Sequence, residues 1–138
     1  MSSAAVYEAL SNDSLLNDLG IDGDSVFSNY SSTTVPREGR FVILRWGNQQ
    51  FSHAAKTGPT YLTVWVHQPD QMGSDYTEVN KIHARMSEVL QNLEHALGDD
   101  GVSVTSIVFD GLGGELYDPG FNTITRNAGY RVLLRMVA

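Results

Sequence analysis

The chain of 138 residues contains no cysteine. That excludes disulfides, thiolate metal sites, iron–sulfur clusters and cysteine nucleophiles. No apolar run approaches the ~18 residues needed to span a bilayer. Basic residues are scarce: nine Lys+Arg stand against sixteen Asp+Glu, for a formal net charge of −7. That balance argues against a chain that grips nucleic acid through its overall field. The opening Met1-Ser2-Ser3-Ala4-Ala5-Val6 has neither the basic start nor the long apolar stretch of a secretory signal, so folding in a cytoplasm is expected. Low-complexity tracts and fixed-period repeats are also missing. What is present, 41% hydrophobic and 18% charged residues, is the composition of an ordinary globular domain. A single domain over 1–138 is expected, long enough to bury one sizeable core.

Hydrophobic spacing supplies the elements. Val6, Ala9 and Leu10, then Leu15, Leu16 and Leu19, read as two short helices in series, separated by the capping residues Asn12-Asp13-Ser14 and closed by Gly20. Residues 20–39 are turn-rich, with room for a short strand at Val26-Phe27. Arg40–Trp46 is a strand, with Phe41 and Ile43 on one side and Val42, Leu44 and Trp46 on the other. A polar loop, 47–59, follows. Thr60–His67 is the clearest strand: Leu62, Val64 and Val66 form one face, and Tyr61, Thr63, Trp65 and His67 the other. Asp75–Leu97 carries a one-sided stripe of Val79, Ile82, Met86, Val89, Leu90, Leu93 and Leu97, and predicts a helix about 33 Å long, capped by Ser74 or Asp75 and stopped by Gly98. Val102–Phe109 and Gly129–Val137 read as strands, with a Gly-rich loop over 110–125 between them. The order α-β-β-α-β-β predicts an α+β two-layer sandwich. Its sheet is mostly antiparallel, with one long and one or two short helices packed on one face.

Chemical constellations are not legible. His53, His67, His83 and His95 fit no ligand spacing, and a packed histidine is the expected state of His83. Asp22-Gly23-Asp24 lacks the acidic ladder and closing Glu of a calcium loop and reads as a solvated turn. Gly111-Leu112-Gly113-Gly114 follows a strand, but no Lys-Ser/Thr follows it, and Glu115 and Asp118 would repel phosphate. No Gly-x-Ser-x-Gly occurs. The expectation is therefore no catalytic residue, no metal, no cofactor and no enzyme. An active site assembled only in space stays open as an alternative.

Charge is laid out unevenly. Residues 1–35 hold five acids and no base, whereas 119–138 hold three Arg and no acid. Arg131 and Arg135 alternate with Tyr130, Val132 and Leu134 on the last strand, and Arg45 ends another. If the apolar faces align, Tyr61 and Trp65 join these arginines on the second face of the sheet. Aromatic residues with arginine compose interface hot spots. Complementary basic and acidic surfaces on one small chain suit head-to-tail assembly into a ring. One or both of the two long loops, with Gln49, Gln50 and Phe51 in the first and Leu112, Tyr117 and Phe121 in the second, are expected to become ordered only against a binding partner, such as a neighbouring subunit. A solvated face of amphipathic side chains is the alternative.

In element order the chain resembles the tail terminator proteins of long-tailed bacteriophages. The resemblance rests on the opening helix Val6-Tyr7-Glu8-Ala9-Leu10 followed by Asn12-Asp13-Ser14-Leu15-Leu16, the Gly20 turn with Val26-Phe27, and the Pro36 segment. It continues through Phe41-Val42-Ile43-Leu44, Tyr61-Leu62-Thr63-Val64-Trp65-Val66, the Asp75–Leu97 helix and the closing strand Gly129-Tyr130-Arg131-Val132-Leu133. It implies a non-enzymatic virion protein of the neck region, a hexameric ring on the head-proximal end of the tail tube. Its implied partners are copies of itself, the major tail tube protein and the head-tail connector or stopper. Genome DNA would pass through the lumen without specific binding, and no membrane is involved. A connector or minor tail protein, or a monomeric ferredoxin-like binding module, are the alternatives.

Overall fold

In the computed structural model, which describes residues 4–28, 39–47 and 57–136, two long strands make the frame. In chain order the elements are α1 (Ala4–Ser11), α2 (Ser14–Asp18), β1 (Val26–Ser28), β2 (Phe41–Trp46), β3 (Thr57–Pro69), a 3-10 turn (Asp70–Met72), α3 (Thr77–Gln91), β4 (Ala96–Leu97), β5 (Val102–Leu112), β6 (Leu116–Asp118) and β7 (Thr123–Met136). They form one sheet in the order β1-β2-β3-β7-β5-β4, with β6 also paired to β7. The β1–β2 pair is parallel and the others are antiparallel. The fold is the expected α+β sandwich.

The strand period decides the two faces. β3 pairs with β7 from Thr57↔Arg135 to Pro69↔Thr123. This register puts Leu62, Val64 and Val66 on the same side as Tyr130, Val132 and Leu134. Those residues are buried against Val6 and Leu10 of α1, Leu16 of α2 and Val79, Ile82, Met86 and Leu90 of α3. The α3 stripe thus does what its spacing predicts. Two ties fix the helical layer. Asp13 caps α2 by accepting from Leu16 N at 3.0 Å, and it receives a two-pronged bond from Arg85 of α3, Nε to Oδ2 at 2.9 Å and a terminal nitrogen to Oδ1 at 2.7 Å. The guanidinium bond holds the Asp13 carboxyl below the usual carboxylate range.

Several boundaries differ from the sequence expectation. α3 stops at Gln91, about 22 Å long by its rise per residue. Asn92, not Gly98, ends it, because His95 turns to a left-handed φ of 54° and the chain reverses so that Ala96–Leu97 can pair with Ser103–Val104. Leu97 leaves the stripe and is exposed. Gly98 has another role: a Cβ there would sit 2.7 Å from Ala5 N, so α1 packs directly on its backbone. At the start of α3, Asp75 serves as expected, accepting from Thr77 N at 2.9 Å and Thr77 Oγ1 at 2.6 Å, although Tyr76 is the boundary residue.

The largest correction concerns 110–125. It is not one long loop. β5 runs on to Leu112, β6 follows, and β7 starts at Thr123. β5 and β6 lie one after the other along the same side of β7, joined by a short kink where Gly113 N donates to Asn127 O at 2.7 Å. The glycines there serve strand continuity and close packing: Gly111 takes a φ of 138°, and a Cβ on Gly113 would overlap the Asn127 side chain. β3 likewise begins at Thr57, inside the expected 47–59 loop. Residues 48–56 of that loop, with Gln49, Gln50 and Phe51, lie outside the described residues, as does Pro36.

Asp13→Ala removes the cap and the partner of Arg85 together. It is expected to lower unfolding free energy by about 1–2 kcal/mol, read as a shift in the urea midpoint at unchanged slope.

Candidate functional site

The side chains that the register excludes from the helical core gather on the opposite face of the sheet. β3 contributes Tyr61, Thr63, Trp65 and His67, matched across β7 by Arg131, Gly129, Asn127 and Thr125. β2 adds Phe41, Ile43 and Arg45. The face has two regions of different character.

The first is a small second core. Phe41 and Ile43 are buried there, covered by Phe27, Trp65 and Phe121. Phe41 stacks on the His67 ring at 4.7 Å, and Phe121 meets both edge-on, at 5.5 Å and 5.2 Å. His67 is buried; its Nδ1 lies 2.8 Å from Thr123 Oγ1, and burial pulls its pKa down to about 4. The turn that delivers Phe121 is tied by Asp118, whose Oδ1 accepts from Gly120 N at 2.8 Å. Phe121 was expected in a loop that meets a partner; instead it packs on its own chain.

The second region is polar and open. Tyr61 lies flat over Gly129, where any Cβ would meet its ring, and its hydroxyl donates to Asp110 Oδ2 at 3.1 Å. Burial first, then the Asp110 carboxylate, pushes the Tyr61 phenol above its ordinary pKa. Arg131 approaches the same carboxylate at 3.8 Å and is largely exposed. Arg45 and Arg135 are exposed. Between the regions runs an open groove of about 650 Å3, lined by Ile43, Arg45, Tyr61, Trp65, His67 and Phe121 among others.

The structure therefore brings Arg45, Tyr61, Trp65 and Phe121 to one groove and places Arg131 beside Tyr61 through Asp110. Arg135 sits on the same face further along β7, opposite Thr57. Leu112 and Tyr117 lie away from the groove, on β5 and β6. Tyr117 donates to Asp70 Oδ2 at 3.1 Å and Asn122 Oδ1 at 3.2 Å. Sequence reading missed Asp110, Asp118 and the Phe41–His67 stack. Alternation put Phe41 and His67 on this face, but only the β2–β3 pairing Phe41↔His67 brings the rings together.

The titratable groups that line the groove are Arg45, Tyr61, His67 and Asp118, with His67 buried in the aromatic stack. His83 packs from α3 onto β7, with Nε2 2.8 Å from Arg126 O, and burial lowers its pKa to about 4. Asp22-Gly23-Asp24 is a turn closed by its own side chains, Asp22 Oδ1 accepting from Asp24 N at 2.9 Å. Among the described residues, no three His, Asp or Glu side chains come together as metal ligands. No helix among them is long and apolar enough to cross a membrane.

No protein-family model matches the chain, and no curated protein is significantly similar to it. A solved structure does share its fold. A chain in the virion of a native gene transfer agent particle superimposes with a TM-score of 0.71 at 16% identity, covering 96% of this chain and 92% of that one. Likeness at that identity establishes a common architecture over nearly the whole length of both chains.

The two buried histidines set a pH dependence. Each is neutral in the fold and titrates near 4, but would titrate near 6.5 when unfolded. The unfolded chain therefore takes up protons first, and stability present above pH 6.5 is lost as the pH falls toward 4. The expected slope is up to ~1.4 kcal/mol per pH unit for each histidine. Urea melts between pH 7 and 5 check this, and His67→Phe should roughly halve the slope.

Proposed function

We propose that this protein is a structural component of a phage-like virion, and within that class a tail terminator. Copies would form a hexameric ring on the head-proximal end of the tail tube, end tube growth and present a joining surface to the connector. The observation that carries this reading is the fold shared, across nearly the full length of both chains, with a component of a gene transfer agent virion. The order of elements, which resembles tail terminators, supports the same reading.

The open face supports assembly. Arg131 and Arg135 are exposed on β7, with Arg131 opposite Tyr61, while Asp18, Asp22 and Asp24 are exposed ahead of β1 at the other edge of the sheet. One copy's basic face and the next copy's acidic end form a heterologous contact, the kind that closes into rings. In that arrangement the arginines are used between subunits and the excess acid is left for the lumen. A negative lumen lets DNA slide without being held. The protein acts by contact rather than by catalysis, its place is the virion neck, and it needs no cofactor.

A second reading rests on the groove. Its volume of about 650 Å3 lies in the range of small-molecule sites, which fits a monomeric binding module of ferredoxin-like layout.

Analytical ultracentrifugation separates the two. The first reading expects a ring of about six subunits, alone or on addition of the tube protein, with Arg131→Glu plus Arg135→Glu weakening assembly at least tenfold while circular dichroism stays native. A chain that stays monomeric at every concentration and beside the tube protein rules the ring out.

A further inference from the structure

The ring reading leaves open which surfaces meet, and a different part of the sheet bears on that. β5 is paired with β7 along its length, yet on its other side β4 reaches it only at Ser103 and Val104. Among the described residues nothing pairs with its outer edge from Ser106 to Leu112. Further on, the Tyr76 hydroxyl donates to the Leu116 carbonyl at 2.6 Å, so β6 is capped there. An uncovered strand edge is a template for another strand, and soluble proteins usually blunt it with charge, proline or a covering segment. Here the edge is apolar on both faces: Val108 is 47% exposed, Phe109 39% and Leu112 41%. The one charged residue between Val102 and Gly114 is Asp110. Its carboxylate is drawn across the open face to the Tyr61 hydroxyl and toward Arg131, so it does not guard the edge.

We infer that the outer edge of β5 from Ser106 to Leu112 adds a strand from a second copy of this chain, joining the β1 end of that copy's sheet. The inference rests on the ring reading and says where the ring is sewn. The sheet order leaves β1 at the opposite edge of the same sheet, paired among the described residues to β2 alone. Each copy thus offers one edge at either end, as a head-to-tail contact requires. Charge agrees. Arg131 and Arg135 stand exposed on β7, next to the β5 edge, whereas Asp22 and Asp24 stand exposed just before β1. Backbone pairing would supply the affinity, and the charges would choose the partner edge and the order of approach.

Hydrogen exchange on the assembled protein, against dilute protein in which the ring has dissociated, reads the contact directly. Amides of both 106–112 and 26–28 should gain at least tenfold protection on assembly. Val108→Glu with Leu112→Glu should abolish assembly and keep a native circular dichroism spectrum, since both side chains are exposed and Val108 lies opposite Arg131. If the ring forms but 106–112 exchanges as fast as in the dissociated chain, or the double variant assembles normally, the edge contact is overturned and the ring reading stands. Protection at 106–112 with 26–28 unchanged overturns the head-to-tail form. A wild-type chain that never assembles overturns both.

Discussion

The pairing of β3 with β7 is the constraint on which the rest of the molecule depends. The two strands run side by side from Thr57↔Arg135 to Pro69↔Thr123, and every other strand is placed relative to them. A slip of one residue would turn Leu62, Val64 and Val66 toward solvent and Tyr61, Trp65 and His67 under the helices. Burial of the aliphatic set beneath α1, α2 and α3 therefore fixes the register, and the register delivers the open face with its arginines and aromatics as a necessary counterpart.

That open face is not uniform, because the sheet is covered unevenly. Near β1 and the Phe121 turn, rings close over Phe41 and Ile43 and hold His67 neutral. Near β5 the same face carries charge, with Asp110 bonded to Tyr61 and approached by Arg131. A surface dry at one side and charged at the other suits a contact that needs both area and orientation. The fold itself is shared with a chain of a gene transfer agent virion over nearly the whole length of both.

Much of this was legible beforehand and some was not. The period-2 pattern of 60–67 and the stripe from Val79 to Leu90 are local signals, and a strand and a helix form there, although the helix stops at Gln91. Failures arose where long-range pairing overrode local signs. The glycines at 111, 113 and 114 look like loop residues, yet pairing with β7 draws that stretch into β5 and β6, the glycines absorbing the bulge and the close approach to Asn127. Residues 92–97 continue a helical stripe in spacing, but pairing of Ala96–Leu97 with β5 pulls them out of the helix. The aromatics of the candidate site were assigned to the right face by alternation. Leu112, Tyr117 and Phe121 were read as residues of one loop, whereas they fall in β5, in β6 and in the turn before β7.

By itself, the order of residues determined the class of fold, the helix-facing side of each central strand and the separation of acidic from basic stretches. These depend on spacings of a few positions along the chain. Strand order, the exposed edge of β5, the Tyr61–Asp110–Arg131 cluster and the ring stack around His67 were decided by tertiary structure alone. Each joins residues tens of positions apart, and their meeting depends on which strand lies beside which. Local periodicity carries no record of that choice, because any strand with the same alternation could have filled either neighbouring place.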